Sequence, residues 1–406
     1  MMIVNTVEKE DKSTAVKVVH ISALHLGRRF PELGKDAEAL RYHDVFRAFQ
    51  QVINYVLREG VHLLLIAGDL FDHLHPSRET ISFVLSCFGE VHRKNPDARI
   101  VICPGKGEIL LRTEGKTECI LSVFSHLPYV HLVGCGDSVE SVQLEWEKAK
   151  VRVSSCDYDR FFYSDFRIRE VPSAASTFGI FLLHCHSRRR GVAASDHEIL
   201  AEKIFQPLSA RGYRYFALGN THQLADLSTE KYYAFFPGSV ERLNIDEDRS
   251  KKYLIRFDIN GRNFTAAPQP VPVRARPLEY VNITCVPGER DLAFLVEDAV
   301  RKGNRDAMLY LVLQGQIKFD DFNRFINSDI KKRLEEKFSI VHIENRLIFL
   351  EKGEDYSYHA LRVGTPQEEF RHFMEREINS APDGSRERTF LQELLEIGLR
   401  EIKESE

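Results

Sequence analysis

Six short apolar runs in the first 240 residues each stop abruptly at Gly, Asp, Asn or His, and this repeated ending restricts the folds open to the chain. The runs are VKVVHIS (16–22) before Leu24-His25-Leu26-Gly27, VHLLLIAGD (61–69), ARIVICPG (98–105), FGIFLLHCH (178–186), YRYFALGNTH (213–222) and YYAFFPGS (232–239). Continuous Val/Ile/Leu/Phe stretches of this length suit strands buried on both faces. Between the first three lie patterns of helical period. In Thr80–Val91, just after Pro76-Ser77, the apolar residues Ile81, Val84, Leu85 and Phe88 recur at i, i+3, i+4 and i+7. Asp44–Leu57 repeats the pattern with Val45, Phe46, Phe49, Val52, Ile53 and Val56. The alternation predicts a layered α/β domain with polar residues at the carboxyl ends of its strands, the edge where such sheets bind ligands.

At 406 residues the chain is longer than one hydrophobic core usually serves. The segment APQPVPVRARP, with Pro268, Pro270, Pro272 and Pro277, reads as an extended domain junction. It divides a first domain at 1–267 from a small α+β domain at 268–355, with a strand (Leu278–Cys285), a helix (Asp291–Lys302), a strand (Ala307–Leu313), a helix (Phe319–Lys337) and a strand (Ser339–Ile343). The segment 356–406 holds two amphipathic patterns, Phe370/Phe373/Met374/Ile378 and Phe390/Leu391/Leu394/Leu395/Ile397/Leu399/Ile402, separated by Pro382-Asp383-Gly384.

Several classes are disfavoured. No apolar run approaches the ~18 residues of a membrane span, and MMIVNTVEKEDKST lacks the layout of a signal peptide, so a cytoplasmic location is expected. Seven cysteines (Cys87, Cys103, Cys119, Cys135, Cys156, Cys185 and Cys285), never spaced C-x-x-C, read as reduced thiols mostly in the core. The net charge of −4 hides an asymmetry: Pro366–Glu406 has eleven acidic and six basic residues, hence −5, and residues 1–365 are left at +1. A near-neutral body can still carry a basic face for nucleic acid.

The series A-L-H-L-G, G-D-L-F-D, P-G-K-G-E, a His at a strand end, G-N-T-H and F-P-G-S-V-E-R-L resembles, in order, the motifs of the calcineurin-like metallophosphoesterases. The phrases IAGDLFDHLHPS and FFPGSVERL, the Arg41…Asp44…Phe49 helix and the VRARPL junction are similar to the SbcD/YhaO branch, bacterial counterparts of the Mre-eleven repair nuclease. The resemblance runs over about residues 16–280 and implies a four-layer α/β/β/α sandwich, a capping domain and a C-terminal helix-loop-helix. In that family two divalent ions, usually manganese and ~3.5–4 Å apart, clamp a phosphodiester and activate a water. A separate His assists proton transfer or orients the phosphate.

Carried over residue by residue, the resemblance gives an incomplete site. His25 matches the first motif, but Ala23 stands where the family has a ligand Asp. Asp69 matches the bridging carboxylate, and His184 and His222 match imidazole ligands, with His186 two residues beyond His184. Lys106 replaces the ligand Asn, Gly107 replaces the catalytic His, and Asn220 replaces a ligand His. An ammonium at a metal position repels a cation, so Lys106 is expected to fill the second ion's place and pair with Asp69. A full two-metal site is not expected. The readings left are a pseudo-nuclease, holding at most one weakly bound Mn2+, and a one-metal enzyme using His25, Asp69 and His222.

The resemblance further implies a partner and a substrate surface. Arg188, Arg189 and Arg190, with His73, are candidate contacts to double-stranded DNA ends. Thr80–Val91 and Glu118–Phe124 are candidate homodimer helices. Phe370, Phe373, Leu391, Leu394 and Leu395 are the apolar positions expected to grip an SbcC-like SMC/ABC ATPase.

Overall fold

The computed structural model describes residues 15–31, 33–111, 117–136, 138–156, 171–184, 204–244, 251–286 and 291–350. Between 370 and 399 it describes 370, 371, 374, 378, 388, 390–392, 394, 395 and 397–399. The chain divides into two compact units, Met1–Val281 with Lys302–Leu311 and Lys331–Ile343, and Asn282–Arg301 with Val312–Ile330 and Glu344–Glu406.

The first unit is built on two six-stranded sheets. One runs in the order Asn263–Val273, Lys252–Asn260, Val16–Ile21, Leu63–Ala67, Arg99–Cys103, Val130–Leu132. The other runs Ala225–Asp226, Tyr233–Phe236, Tyr213–Gly219, Phe178–His184, Ala149–Ser155, Glu140–Trp146. In the first sheet the four strands from Val16–Ile21 to Val130–Leu132 are parallel and the antiparallel strands lie at one margin; in the second the four central strands are parallel and both edge strands antiparallel.

The unbroken apolar runs follow from burial on both faces. Val18, Leu63, Leu65 and Val101 of the first sheet share one core with Ile180, Leu182, Tyr215 and Ala217 of the second. The alternate residues Val19, Ile21, Leu64, Ile66, Ile100 and Ile102 pack instead on two helices, Lys35–Glu59 and Arg78–Lys94. Because side chains alternate across a strand, each sheet serves two cores. On the outer face of the second sheet, Phe181, Leu183, Phe216 and Leu218 meet Ile204, Phe205 and Leu208, the last in the short helix Gln206–Ser209.

Both expected helices of this unit form, and the first is longer than its apolar pattern. It starts at Lys35, with Asp36 and Glu38 in its first turn facing the positive end of the helix dipole, and stops at Gly60, whose φ of 62° is the left-handed cap that glycine adopts most readily. In the second helix the Ser77 hydroxyl accepts the Thr80 N–H at 3.2 Å and fixes the N-terminus.

Four expectations are corrected. The proline-rich segment is no free junction but most of the edge strand Asn263–Val273, with Pro270 and Pro272 opposite Ile255 and Tyr253. Prolines at every second position keep their missing N–H groups on the open side of the edge, where they block pairing with another chain. Glu118–Phe124 is not one helix: Thr117–Cys119 pairs with Ile109–Leu111, and Ile120–Phe124 is a 3-10 turn that buries Leu121 and Phe124 at its i, i+3 spacing. Phe319–Lys337 divides into Phe319–Ile326 and Ile330–Lys337. Here the Asn327 amide donates to the Asn323 carbonyl at 2.8 Å and the Ser328 hydroxyl to the Phe325 carbonyl at 2.6 Å, local bonds that end a helix. The strand expected at Ser339–Ile343 extends over Phe338–Leu350 and joins Asn304–Lys318 and Leu278–Cys285 in a three-stranded sheet.

In the second unit Asp291 caps the helix Leu292–Ala299, its carboxylate accepting the N–H groups of Ala293 and Phe294 at 2.9 and 3.3 Å. Each described residue between 370 and 399 is helical. Met374 and Ile378 are buried, and the Phe370 ring lies against Gly398, where a Cβ would come within 2.3 Å of it. No helix among the described residues is long and apolar enough to cross a membrane.

Candidate metal centre

The strands ending at Ile21 and Ala67 are neighbours in the parallel ladder, Ile21 opposite Ile66, and the two loops that follow are bonded to each other. Ala23 N–H donates to the Gly68 carbonyl at 3.2 Å, Leu24 and His25 N–H both to the Asp69 carbonyl at 2.8 Å, and Leu26 N–H to the Leu70 carbonyl at 2.9 Å. The resulting turns put Ala23, His25 and Asp69 at φ 49°, 47° and 53°, and Asn220 is at 104°. These are the only non-glycine residues of positive φ among those described, and all four lie at the site. Backbone strain of that kind, ~1–3 kcal/mol each, collects where a fold must aim side chains.

Two imidazoles meet at one carboxylate oxygen. Asp69 Oδ2 lies 3.5 Å from His25 Nε2 and 3.3 Å from His184 Nε2. Each imidazole is fixed through its other nitrogen, His25 Nδ1 by Asp72 Oδ1 at 3.0 Å and His184 Nδ1 by the Ala67 carbonyl at 3.0 Å. A carbonyl and a carboxylate only accept, so in the neutral rings Nδ1 carries the proton and Nε2 presents its lone pair to Asp69. Lone pairs facing a carboxylate repel unless a cation or a proton lies between them. His25 Nε2 is buried and has no hydrogen-bond partner.

This donor set, hard oxygen and imidazole with outer acceptors holding the rings, fits a divalent ion such as Mn2+ or Zn2+. Two ligands each ~2.1 Å from a tetrahedral ion are ~3.4 Å apart, near both separations observed. The set is nonetheless incomplete. Among the described residues no three His, Cys, Asp or Glu side chains are arranged to hold an ion ready-made.

The replaced positions explain the shortfall. Ala23 is fully buried and offers no donor. Lys106 opens a 3-10 turn, Lys106–Glu108, and is exposed, and among the described residues it makes no ion pair with Asp69. The expected ammonium plug is therefore absent: a Lys left at the surface keeps its hydration, which burial beside one carboxylate would sacrifice. Gly107 is exposed, and a Cβ there would lie 3.2 Å from the Asp72 carbonyl oxygen. The His222 ring meets the His25 ring edge to face at 5.5 Å. Its own carbonyl accepts from Lys252 Nζ at 3.1 Å and from Ser239 N–H at 3.3 Å.

Two carboxylates that shape the site carry no role in the sequence reading. Glu108 is fully buried and accepts the N–H groups of Asp69, Phe71 and Gly105 at 3.0, 2.8 and 2.7 Å, locking the Asp69 turn. Burial and the Asp69 charge push its carboxyl well up, against the pull of those donors. Asp72 orients His25 and pairs with Arg28 NH1 at 3.3 Å. Burial raises its carboxyl, but the His25 bond and the Arg28 charge leave it below the ordinary value. The Asp-x-x-Asp spacing of Gly68-Asp69-Leu70-Phe71-Asp72 was the available signal for Asp72; Arg28 had none.

Of the other candidates, His73 is exposed and accepts the His75 N–H at 3.2 Å. His186, Cys185 and Arg188–Arg190 lie outside the described residues, as does Phe373. Leu394 is exposed, whereas Phe370, Leu391 and Leu395 are half-buried.

Two facing sheets with an Asp between two imidazoles at the strand ends are the arrangement that the metallophosphoesterase resemblance implied. Sequence comparison then places its relatives: the chain is a homologue of the Mre11, SbcD and YhaO metallophosphoesterases. It is 24% identical over 267 residues to the DNA double-strand break repair protein Mre11 of Methanopyrus kandleri, a match covering 61% of this chain and 55% of that one. It is 24% identical over 333 residues to the metallophosphoesterase YhaO of Bacillus subtilis, covering 74% and 72%. A 112-residue stretch is 28% identical to the SbcD component of the SbcCD nuclease of Rhodobacter capsulatus, covering 28% and 26%. The chain thus spans little more than half of the archaeal relative. No protein-family model matches it. Among solved structures, GAP50, the anchor in the inner membrane complex of Plasmodium, aligns with 64% of this chain and 89% of its own at a TM-score of 0.36 and 9% identity, too distant to bear on function.

Proposed function

We propose that this protein is the nuclease-like subunit of a DNA-end-binding assembly in repair or defence, and that it scaffolds double-stranded DNA ends and an SbcC-like ABC ATPase without cutting DNA itself. The observation that carries this reading is the pairing of a retained scaffold with lost chemistry. His25 and Asp69 keep their strained turns and His25 and His184 their orienting bonds, while Ala23 and Lys106 supply no ligand to either ion and Gly107 no proton-transferring imidazole. An in-line displacement without its charge clamp and acid loses the terms on which two-metal catalysis rests. The names of the archaeal and Rhodobacter relatives support the DNA and assembly parts of the proposal.

In this reading residues 268–355 cap the site, and the helical residues of the 356–406 segment hold the ATPase through Leu391, Leu394 and Leu395. The protein is a cytoplasmic homodimer joined through the Arg78–Lys94 helix. A second reading, a one-metal phosphodiesterase built on His25, Asp69 and His222, is favoured by His25 Nε2, buried beside Asp69 without a hydrogen bond.

One experiment separates the two: metal content of the purified chain, with manganese-dependent cleavage of linear DNA measured alone and with the ATPase. Binding of DNA ends without cleavage is the expected result. Robust cleavage abolished by Asp69→Ala would sink the scaffold reading.

A further inference from the structure

Of the six described cysteines, Cys87, Cys103, Cys156 and Cys285 are buried, and only Cys119 and Cys135 reach solvent. Those two are neighbours in space though sixteen residues apart, the Cys135 thiol donating to Cys119 Sγ at 3.5 Å. From this geometry we propose that Cys119 and Cys135 form a peroxide-sensitive dithiol site that closes reversibly into a disulfide.

The surroundings assign the two sulfurs different parts. The bond from Cys135 and the N–H groups of Leu121 and Ser122 hold the Cys119 thiol below its ordinary range despite burial. Cys135, as the donor, is pushed up by that same bond and by burial. Cys119 is therefore the nucleophile, since the thiolate is the reactive form. Its sulfur attacks one oxygen of a hydroperoxide. The O–O bond breaks, Cys119 becomes a sulfenic acid, and the alkoxide or hydroxide leaves and takes a proton. Cys135 then attacks the sulfenic sulfur: the S–S bond forms, the S–O bond breaks, and the departing hydroxide leaves as water with the Cys135 proton. Two thiols have given two electrons to one peroxide. Closing to a bond of ~2.05 Å needs the sulfurs to approach by ~1.5 Å, within reach of side-chain rotation. A low-molecular-weight thiol reverses the step by exchange.

The bond would tie two elements beside the metal centre. Cys119 is paired across its hairpin with Ile109, the residue after Glu108, whose carboxylate holds the Asp69 turn. Cys135 follows the edge strand Val130–Leu132 in a turn whose N–H groups at Gly134 and Cys135 are held by Glu140 at 2.7 and 3.0 Å. A disulfide would thus fasten the Glu108 hairpin to the sheet.

The test uses the full reduced chain, hydrogen peroxide in small molar excess, alkylation of remaining thiols and peptide mass spectrometry. The expected result is a Cys119–Cys135 linked peptide formed before the buried cysteines react, and recovery of both thiols on adding dithiothreitol. In Cys135→Ser, Cys119 should be trapped as a sulfenic acid and take up dimedone; in Cys119→Ser, Cys135 should not. Absence of the linked peptide while other cysteines oxidise would overturn the site. Dimedone labelling confined to Cys119→Ser would overturn the assignment of the nucleophile.

Discussion

Arg276 grips Asp44 with two parallel contacts, Nε to Oδ2 at 2.5 Å and NH2 to Oδ1 at 2.8 Å, although the two residues are 232 positions apart. Arg41 joins them, reaching Asp44 at 2.7 Å and Glu241 at 3.3 Å, and the Arg276 backbone N–H donates to Glu241 at 3.0 Å. All four residues are buried. The motif phrases around Arg41, Glu241 and Arg276 therefore serve the scaffold: they seat the 241–244 loop and the 274–277 segment on the first helix.

Removing Asp44 leaves Arg41 and Arg276 buried beside a single carboxylate. Breaking a buried network in this way costs about 3–5 kcal/mol. Asp44→Ala should lower the urea midpoint accordingly with little change in the slope of the transition. A midpoint within error of the parent chain would show that the network contributes nothing net.

His20 predicts a pH dependence of stability. It is fully buried between the sheets, its Nδ1 2.9 Å from the Tyr215 hydroxyl. Burial pulls its pKa down to about 3, against a pull upward from the Leu218 backbone. With the folded value below the ordinary one of about 6.5, the unfolded chain takes up the proton first. The contribution of neutral His20 is complete above pH ~6.5 and is lost as pH falls toward about 3, at up to ~1.4 kcal/mol per unit. In His20→Phe the Tyr215 hydroxyl loses its partner, so the variant should be less stable at neutral pH. The difference between the two chains should narrow or invert by pH 5, which urea unfolding at several pH values would measure. A constant difference would contradict the assignment.

Gly68 is held at φ 78°, and a Cβ there would come within 2.2 Å of His184 Nδ1. Gly68→Ala meets both the left-handed penalty and an overpacked imidazole, together about 2–4 kcal/mol. The lower melting temperature should be accompanied by a shifted His184 imidazole resonance in NMR spectra, because the Ala67 carbonyl bond cannot persist. A variant with unchanged melting and resonance would refute the close approach.

How far these features were legible depends on the physics that fixed each. Six of the sheet strands could be read because they are buried on both faces, whereas Glu140–Trp146, with mostly half-buried or exposed side chains, was not anticipated. The first nine residues of the Lys35–Glu59 helix were missed because charge and capping, not apolar period, hold that turn. The strand Asn263–Val273 was hidden by its prolines, which only an edge position tolerates. At the site, the His25 and His184 imidazoles meet at one oxygen of Asp69. Lys106 did not follow: charge complementarity suggested a partner in Asp69, and hydration at an exposed turn decided otherwise. The role of Glu108 rests on three backbone donors, which no side-chain pattern announces.

Catalysis should be recoverable if the retained scaffold is sound. Ala23 already holds φ 49°, a conformation that Asp tolerates better than Ala, so Ala23→Asp returns a carboxylate where the backbone accepts it. Lys106 is exposed, and Lys106→Asn removes an ammonium that no ion pair among the described residues holds in place. At Gly107 the nearest contact of an added Cβ is 3.2 Å, to the Asp72 carbonyl oxygen, so Gly107→His needs a shift of a few tenths of an ångström. Asn220, at φ 104°, is the hardest position for an L-imidazole, and its amide can stay. The triple variant Ala23→Asp, Lys106→Asn, Gly107→His should show manganese-dependent cleavage of linear DNA above that of the parent, and Asp69→Asn on that background should abolish the gain. If the triple variant folds and binds manganese yet cleaves no more than the parent, these three side chains do not limit cleavage.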